Sequence, residues 1–185
     1  MFSVIHWVIL IIGTVIILYF SRKSLMNLSS HGFYRFFAWE SILVMIILNA
    51  KNWFTDPFSP AQVISWILLL ISLGLIIESL RLLKIIGSPD ESRKDSSLLG
   101  LEKTTRLVTS GLYKFIRHPM YSSLLFLAWG VFFKDPSIRG GICGAIATLC
   151  LIITAKSEEK EDIGYFGEEY KTYMKQTRMF IPYIF

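Results

Sequence analysis

Charged residues are scarce in this chain of 185 residues. Asp, Glu, Lys and Arg make up 18% of the positions, whereas 53% are hydrophobic and the mean hydropathy is +0.52. A soluble domain carries roughly 25% charged residues and does not collect its apolar residues in long blocks. The composition therefore excludes an ordinary soluble enzyme and predicts an integral membrane protein.

Cysteine is scarce too, and the chain has only Cys143 and Cys150. Seven residues apart on one helix, their Cα atoms would lie about 10 Å from each other, which is too far for a disulfide. The cysteines and the three histidines show no metal-ligand spacing, and neither proline nor glycine is enriched. The sequence thus excludes a disulfide framework and a low-complexity segment, and it predicts no metal site.

Long apolar segments predict an all-α bundle of five transmembrane helices. The first is too long for a signal peptide and lacks a small-residue cleavage site, so a retained helix is expected. Lys134-Asp135-Pro136 predicts a tight turn that makes the last two helices an antiparallel hairpin over 119–155. We divide the chain into 1–86, with three helices, and 87–185, with the site. The segments are 2–20, 34–50, 61–77 with a continuation to Ile86, 119–133 and 137–155.

Polar residues inside or beside these segments allow further predictions. Glu40 lies in mid-helix and is expected to pair with a basic residue of another span. Glu78 and Arg81 are expected to form a local i,i+3 pair. His6 and His31 have no neighbours in sequence that indicate a role.

The distribution of basic residues predicts the orientation in the membrane. Of 19 Lys and Arg residues, three lie in the connections 50–60 and 134–139, and the other 16 lie within 22–35, 81–117 and 156–178. Because cytoplasmic loops carry the excess of Lys and Arg, these last three regions should share the cytoplasmic side. With five spans, the N-terminus would be outside and the C-terminus inside. The net charge of +5 then reflects topology and attraction to anionic lipid, and no nucleic-acid partner is expected.

Two polar segments fall on that side, the connection 87–118 and the tail after 155. The tail predicts one amphipathic helix with Phe166, Tyr170, Tyr173 and Met174 on one face. Together the two segments predict a cytoplasmic cofactor pocket.

Two clusters within these segments are candidates for chemistry. Arg117-His118-Pro119 lies at the start of the fourth apolar segment, where Pro119 suits the first helical turn and free N–H groups favour an anion. Tyr113 and Tyr121 flank it. Glu158-Glu159 follows the fifth apolar segment, and carboxylates at a helix end are unfavourable unless the helix continues or they bind a ligand. Alternatively, both clusters consist of interfacial residues that only face lipid headgroups and solvent.

The residues of both clusters and their neighbours resemble the sequence pattern of a known protein family. The run Leu107-Val108-Thr109-Ser110-Gly111-x-Tyr113-x-x-x-Arg117-His118-Pro119-x-Tyr121 resembles the isoprenylcysteine carboxyl methyltransferase family. The tail resembles it as well, in Glu158-Glu159, Phe166-Gly167-Glu168-Glu169-Tyr170-x-x-Tyr173 and Phe180-Ile181-Pro182. Related phospholipid N-methyltransferases share much of this pattern. The resemblance covers roughly residues 98–185.

The resemblance implies S-adenosylmethionine as the methyl donor, S-adenosylhomocysteine as the product, and a lipid-tailed or prenylated-cysteine acceptor. Arg117, Lys156 or Arg178 would orient an anionic acceptor, and Glu158 or Glu159 would close the pocket, with the choice between the two left open. The cofactor site that it implies consists of Thr105, Arg106, Leu107, Val108, Tyr113, His118, Pro119, Met120, Tyr121, Glu158 and Glu159.

The expected reaction is methyl transfer to the α-carboxylate of an isoprenylcysteine-like substrate. The first alternative is N-methylation of a phosphatidylethanolamine-type lipid, in which Glu158 or Glu159 would remove the ammonium proton. The second is a sterol-reductase-like enzyme, and the third is a non-catalytic lipid-binding protein. The sequence leaves the oligomeric state open.

Overall fold

The computed structural model describes residues 4–28, 30–90 and 103–185, so residues 91–102 of the predicted connection lie outside it. No β-strand forms within these ranges, although two isolated bridges join Pro89 to Thr104 and Ile116 to Arg178. The predicted all-α fold is confirmed. The helices are α1 (Val4–Leu25), α2 (His31–Leu48), α3 (Pro60–Ile85), α4 (Pro119–Phe132), α5 (Ile138–Phe166) and α6 (Glu168–Gln176).

Among the described residues, α1, α2, α3 and α5 are long and apolar enough to cross a membrane. The hydrocarbon core is about 30 Å thick and takes about 20 helical residues to span. Helix α4 has 14 residues, which gives about 21 Å of helix. It corresponds to the predicted segment 119–133 but is too short to cross the full core alone. The chain is therefore a multi-pass membrane protein whose fourth apolar helix is short.

Small residues let the helices approach each other closely. Helix α2 packs along α5, where Ala38 shares a buried cluster with Leu151 and Ala155. Helix α3 packs along α4, and the Ser65 hydroxyl donates to the Gly130 carbonyl oxygen at 2.7 Å. Small and hydroxylated side chains are typical of contacts between helices in lipid, where no hydrophobic effect drives association. The antiparallel α4–α5 hairpin is thus held between α3 and α2.

The predicted tight turn between α4 and α5 is confirmed at the end of the bundle away from the two clusters. The Lys134 N–H donates to the Val131 carbonyl at 3.1 Å. The Lys134 Nζ donates to Gln62 Oε1 at 3.0 Å and lies 3.4 Å from the ring centroid of Trp66. This cation is satisfied by an amide and an aromatic face, so it fixes the turn against α3.

The tail differs from its prediction. It is not one amphipathic helix, because α5 continues through the polar residues to Phe166 and ends at Gly167, whose φ is +64°. A positive φ is accessible to glycine at little cost. The chain changes direction at Gly167 and begins α6, which is a separate short helix. Glu158 and Glu159 therefore lie inside α5 rather than beyond its end.

Two acidic residues of the spans, Glu40 and Glu78, have partners in the structure. Glu40 was predicted to pair with a basic residue, but its Oε2 accepts a hydrogen bond from the Thr14 hydroxyl of α1 at 3.0 Å. The prediction is wrong because the packing of α1 on α2 brings a hydroxyl, and not a cation, to this carboxylate. The predicted Glu78–Arg81 pair is confirmed, with a distance of 3.0 Å between Arg81 Nη1 and Glu78 Oε2.

Candidate active site

A cleft lies at the end of the bundle where α3 ends and α4 begins. Its volume in this structure is about 70 Å³. The walls come from the last turn of α3, the connection, the start of α4, the polar part of α5 and α6. Its charged lining is Arg117, His118, Glu158 and Asp162, and its aromatic lining is Tyr113, Tyr121, Phe166, Tyr170 and Tyr173.

His118 holds its imidazole between two carboxylates. Its Nδ1 lies 3.2 Å from Glu158 Oε2, and its Nε2 lies 3.3 Å from Glu159 Oε1. Burial lowers the pKa of His118, but the hydrogen bonds that its N–H groups donate to the two carboxylates, together with the negative charge of those carboxylates, outweigh burial and raise that pKa to about 9. The Tyr121 ring stacks on the imidazole, with centroids 5.5 Å apart. His118 is therefore an imidazolium at neutral pH, and the protein itself engages both of its N–H groups.

Arg117 joins three segments that enclose the cleft. Its Nε donates to Glu159 Oε1 at 2.7 Å, and its Nη1 donates to the Thr177 carbonyl at 2.7 Å. The sequence predicted that Arg117 orients an anionic acceptor. In the structure, the guanidinium instead donates hydrogen bonds to protein groups. Arg117 therefore fixes α5 and the chain after α6 against the loop before α4.

Glu158 and Glu159 differ in their positions. Glu158 lines the cleft. Glu159 is buried beside the cleft, where one oxygen accepts hydrogen bonds from both Arg117 and His118. Of the two carboxylates that the sequence left equivalent, Glu158 is thus the one placed to meet a ligand.

Tyrosines form the aromatic part of the lining. The Tyr113 hydroxyl lies 2.7 Å from the Ser79 hydroxyl of α3, and the Tyr173 hydroxyl donates to the Tyr113 carbonyl at 2.7 Å. Burial raises the pKa of both the Tyr170 and the Tyr173 hydroxyls. Tyr170 and Tyr173 are therefore neutral and present aromatic faces rather than bases.

The predicted cofactor segment Thr105 to Val108 is divided between two positions. Leu107 and Val108 line the cleft, as do Pro119 and Met120. The N–H groups of Thr105 and Arg106 instead donate to the Gly87 carbonyl at 3.0 and 3.2 Å. Those two N–H groups fix the connection against the end of α3 and are not directed at a ligand.

Two further predicted residues lie outside this cleft. The Arg178 side chain lines a different surface cleft, and the Arg178 N–H donates to the Phe115 carbonyl at 3.0 Å. Lys156 is exposed on α5 and does not line the cleft.

Sequence reasoning missed several residues of the site. Asp162 and Phe166 follow Glu158 at intervals of four residues, and this spacing would have revealed them once α5 was known to continue. Outside the cleft lining, His31 is also fully buried, and its Nδ1 lies 2.7 Å from Glu161 Oε2. No local signal marks this pair, because its members are 130 residues apart.

The cleft suits a small ligand with cationic and aromatic parts. Glu158 and Asp162 offer negative charge, and Phe166 and Tyr170 offer aromatic faces, which attract cations. The donor predicted from sequence carries a sulfonium, an ammonium and an adenine. The residues present therefore fit S-adenosylmethionine.

Comparison with protein families defines the class of protein. A model of the phospholipid methyltransferase family matches residues 60–168, which is more than half of the chain. The matched region includes α3, α4, α5 and the charged lining of the cleft. A helical membrane bundle with this match is a member of a membrane methyltransferase family. The chain belongs to the phospholipid methyltransferase family, and the resemblance predicted from sequence is confirmed.

Curated relatives are methyltransferases with different acceptors in their names. Methanethiol S-methyltransferase 1 of Bradyrhizobium diazoefficiens is 34% identical over 46% of this chain and 30% of its own length. Methanethiol S-methyltransferase of Pseudomonas deceptionensis is 32% identical over 38% of this chain and 26% of its own. Protein-S-isoprenylcysteine O-methyltransferase of Mus musculus is 36% identical over 44% of this chain and 29% of its own. The match spans less than a third of each relative, and no solved structure matches significantly.

Proposed function

We propose that the protein transfers the methyl group of S-adenosylmethionine to the α-carboxylate of an isoprenylcysteine-like acceptor that reaches the cleft from the membrane. The observation that carries this proposal is the composition of one cleft at the end of the membrane helices. Carboxylates, aromatic faces and apolar side chains meet there, as a cationic donor and a lipid-tailed acceptor require.

The donor would occupy the charged and aromatic part of the cleft. When bound, it supplies an electrophilic methyl group: the acceptor oxygen forms a bond to this carbon while the bond from carbon to sulfonium sulfur breaks, leaving a neutral thioether. Glu158 and Asp162 place negative charge near the donor's cationic groups, and Tyr170 adds an aromatic face. His118 and Arg117 hold Glu158 and Glu159 in position before the donor arrives.

The acceptor would enter along the apolar part of the lining. Leu83, at the end of α3, and Met120, in the first turn of α4, both line the cleft and belong to one apolar cluster. An isoprenoid tail can lie there while its carboxylate extends toward the donor. The protein would then contribute mainly alignment of the two reactants, which can lower a barrier by several kcal/mol.

The chemistry of the lining favours an acceptor that needs no base. His118 keeps its protons up to about pH 9, Glu158 faces that imidazolium, and Tyr170 and Tyr173 are neutral. An α-carboxylate has an ordinary pKa of about 3.5 and is already ionised. An ammonium must first lose a proton, which Asp162, assigned here to the donor's cationic groups, would have to accept, so phosphatidylethanolamine is the poorer acceptor.

A thiol is the second candidate acceptor. Its ordinary pKa is about 8.5, so a fraction is ionised at neutral pH without a base. The curated relatives named methanethiol S-methyltransferase favour this candidate. It shares the donor site with the first proposal and differs only in what occupies the apolar part of the cleft.

An acceptor panel tests the proposal. Protein in nanodiscs would receive donor labelled in its methyl group together with S-farnesylcysteine, an alkanethiol or phosphatidylethanolamine. We expect a base-labile methyl ester on the prenylated cysteine. A labelled thioether would assign the thiol instead, and label on phosphatidylethanolamine alone would contradict the argument about the missing base.

A variant pair tests where the tail binds. Met120→Ala should raise the KM for the prenylated acceptor several-fold while the affinity for the donor product stays the same. Met26→Ala, at a position that is 89% exposed after α1, is the matched control and should change neither. Equal KM values in all three proteins would contradict a tail site at the start of α4.

The asymmetry of basic residues supports a cytoplasmic cleft with the N-terminus outside. Cysteines introduced at Lys171 of α6 and at Lys51 between α2 and α3, in a background without Cys143 and Cys150, test this topology. In intact cells, an impermeant maleimide should label the Lys51→Cys variant and spare the Lys171→Cys variant. The reverse pattern would invert the topology.

A further inference from the structure

A second cleft lies on the surface between the loop before α4 and the chain that follows α6. It has a volume of about 220 Å³ and shares none of its lining with the candidate active site. We call it the basic cleft, and it is lined by Lys114, Phe115, Lys175, Gln176, Arg178 and Tyr183. We propose that the basic cleft binds the phosphate of an anionic phospholipid headgroup.

The walls of the basic cleft are fixed by the backbone. The Arg178 N–H donates to the Phe115 carbonyl at 3.0 Å, and the Arg117 N–H donates to the Arg178 carbonyl at 2.8 Å. These bonds form the parallel bridge between Ile116 and Arg178. Lys114 and Arg178 are thus carried by adjacent, paired segments, so the cleft exists before a ligand arrives.

The charge of the basic cleft favours a phosphate. Lys114, Lys175 and Arg178 contribute three cations, and no carboxylate side chain is found among the described residues that line it. Three cations on one small surface repel each other, and a bound anion removes this repulsion. The planar guanidinium of Arg178 can bind two phosphate oxygens at once, whereas each lysine adds a compact charge.

The apolar rim favours a lipid as the source of that phosphate. Phe115 is 43% exposed and Tyr183 is 81% exposed, and their ring centroids are 6.2 Å apart. Ile184 and Phe185 next to them are exposed as well. Exposed aromatic residues beside cations are typical of the headgroup level of a membrane, where anionic lipids attract Lys and Arg. A free phosphate would gain nothing from this rim.

Native mass spectrometry of the detergent-purified protein tests the proposal. Phosphatidylglycerol and phosphatidylcholine would be titrated separately, and the bound lipids counted. We expect one phosphatidylglycerol to bind at least tenfold more tightly than phosphatidylcholine. The double variant Lys114→Gln/Lys175→Gln should lose this preference. The matched control Lys23→Gln/Lys84→Gln, which removes two exposed cations at the same end of the bundle, should retain it.

Three outcomes would overturn the proposal. The first is equal binding of the two lipids, and the second is an equal loss of preference in the test and control variants. The third is displacement of phosphatidylglycerol by low millimolar inorganic phosphate, which would assign the cleft to free phosphate. Melting curves of both variants check their folding. If the double variant does not fold, Lys175→Gln alone should weaken phosphatidylglycerol at least threefold, and an unchanged affinity in it would also overturn the proposal.

Discussion

The Arg117 guanidinium and the Glu159 carboxylate form a 2.7 Å ion pair whose side chains are only 10% and 9% exposed. The pair joins the loop before α4 to the polar end of α5, and the same guanidinium reaches the chain after α6. The loop before α4 and the polar end of α5 both line the cleft. The shape of the cleft therefore depends in part on this buried cation.

Arg117→Met should destabilise the fold strongly. It leaves the buried Glu159 carboxylate without its closest partner, and removing one member of a buried pair costs about 3–5 kcal/mol. Arg81→Met is the matched control because the Arg81–Glu78 pair is 65% and 36% exposed, so that it should cost less than about 1 kcal/mol. Unfolding in mild detergent measures both, and similar losses would contradict a structural role for Arg117.

Stability should depend on pH through His118. Its pKa of about 9 in the folded protein lies above its ordinary value of 6.5. The folded state therefore binds more protons than the unfolded state between these values. The free energy of unfolding should fall as pH rises from about 6.5 to 9, with a limiting slope of about 1.4 kcal/mol per pH unit for one proton. The contribution is complete below pH 6.5.

The variant His118→Gln isolates this effect. It keeps a hydrogen-bond donor but cannot carry a charge, so the decline between pH 6.5 and 9 should become clearly shallower even though the variant is less stable overall. Thermal melting across that pH range provides the measurement. The same decline in the variant would assign the pH dependence to another group.

Gly167 should be intolerant of a side chain for conformational reasons. Its φ of +64° and ψ of −133° define a region that other residues enter at a cost of about 1–3 kcal/mol. No atom lies within 4 Å of a Cβ built there, so the cost is one of backbone conformation and not of packing. Gly167→Ala should destabilise the protein and displace α6, which carries Tyr170 and Tyr173.

The control for this prediction is Gly164→Ala, three residues earlier. Gly164 lies within α5 and also has open space around its Cβ position. Alanine is favoured over glycine inside a helix by up to about 1 kcal/mol, so this variant should be equally stable or more stable. A loss of stability in Gly164→Ala that matches the loss in Gly167→Ala would contradict the conformational explanation.

The bundle was largely predictable from the sequence because each apolar segment has its own signal. The segments, the turn at Lys134 and the Glu78–Arg81 pair depend on residues close together in the chain. The end of α5 was not predictable in this way. Its polar continuation from Glu158 to Phe166 is too hydrophilic for a span, and the break at Gly167 depends on a backbone angle.

The site was only partly predictable for a related reason. The resemblance predicted that His118 and Glu158 both belong to the cofactor site, and the structure places their side chains 3.2 Å apart. It could not distinguish Glu158 from Glu159, because adjacent helical residues point about 100° apart and only the packing of α5 decides which one faces the cleft. His31 and Glu161 belong to distant segments, so their contact exists only in the folded bundle.

Calorimetric titration of S-adenosylhomocysteine into the detergent-purified protein tests whether the cleft binds the methyl donor. We expect saturable 1:1 binding that is at least tenfold weaker in Glu158→Gln, since a hydrogen bond to a charged group contributes about 1.5–3 kcal/mol. Glu78→Gln makes the same change on the exposed face of α3 and should bind like the unaltered protein. Absence of binding by folded protein, or equal affinities in all three proteins, would contradict a methyl-donor site in this cleft.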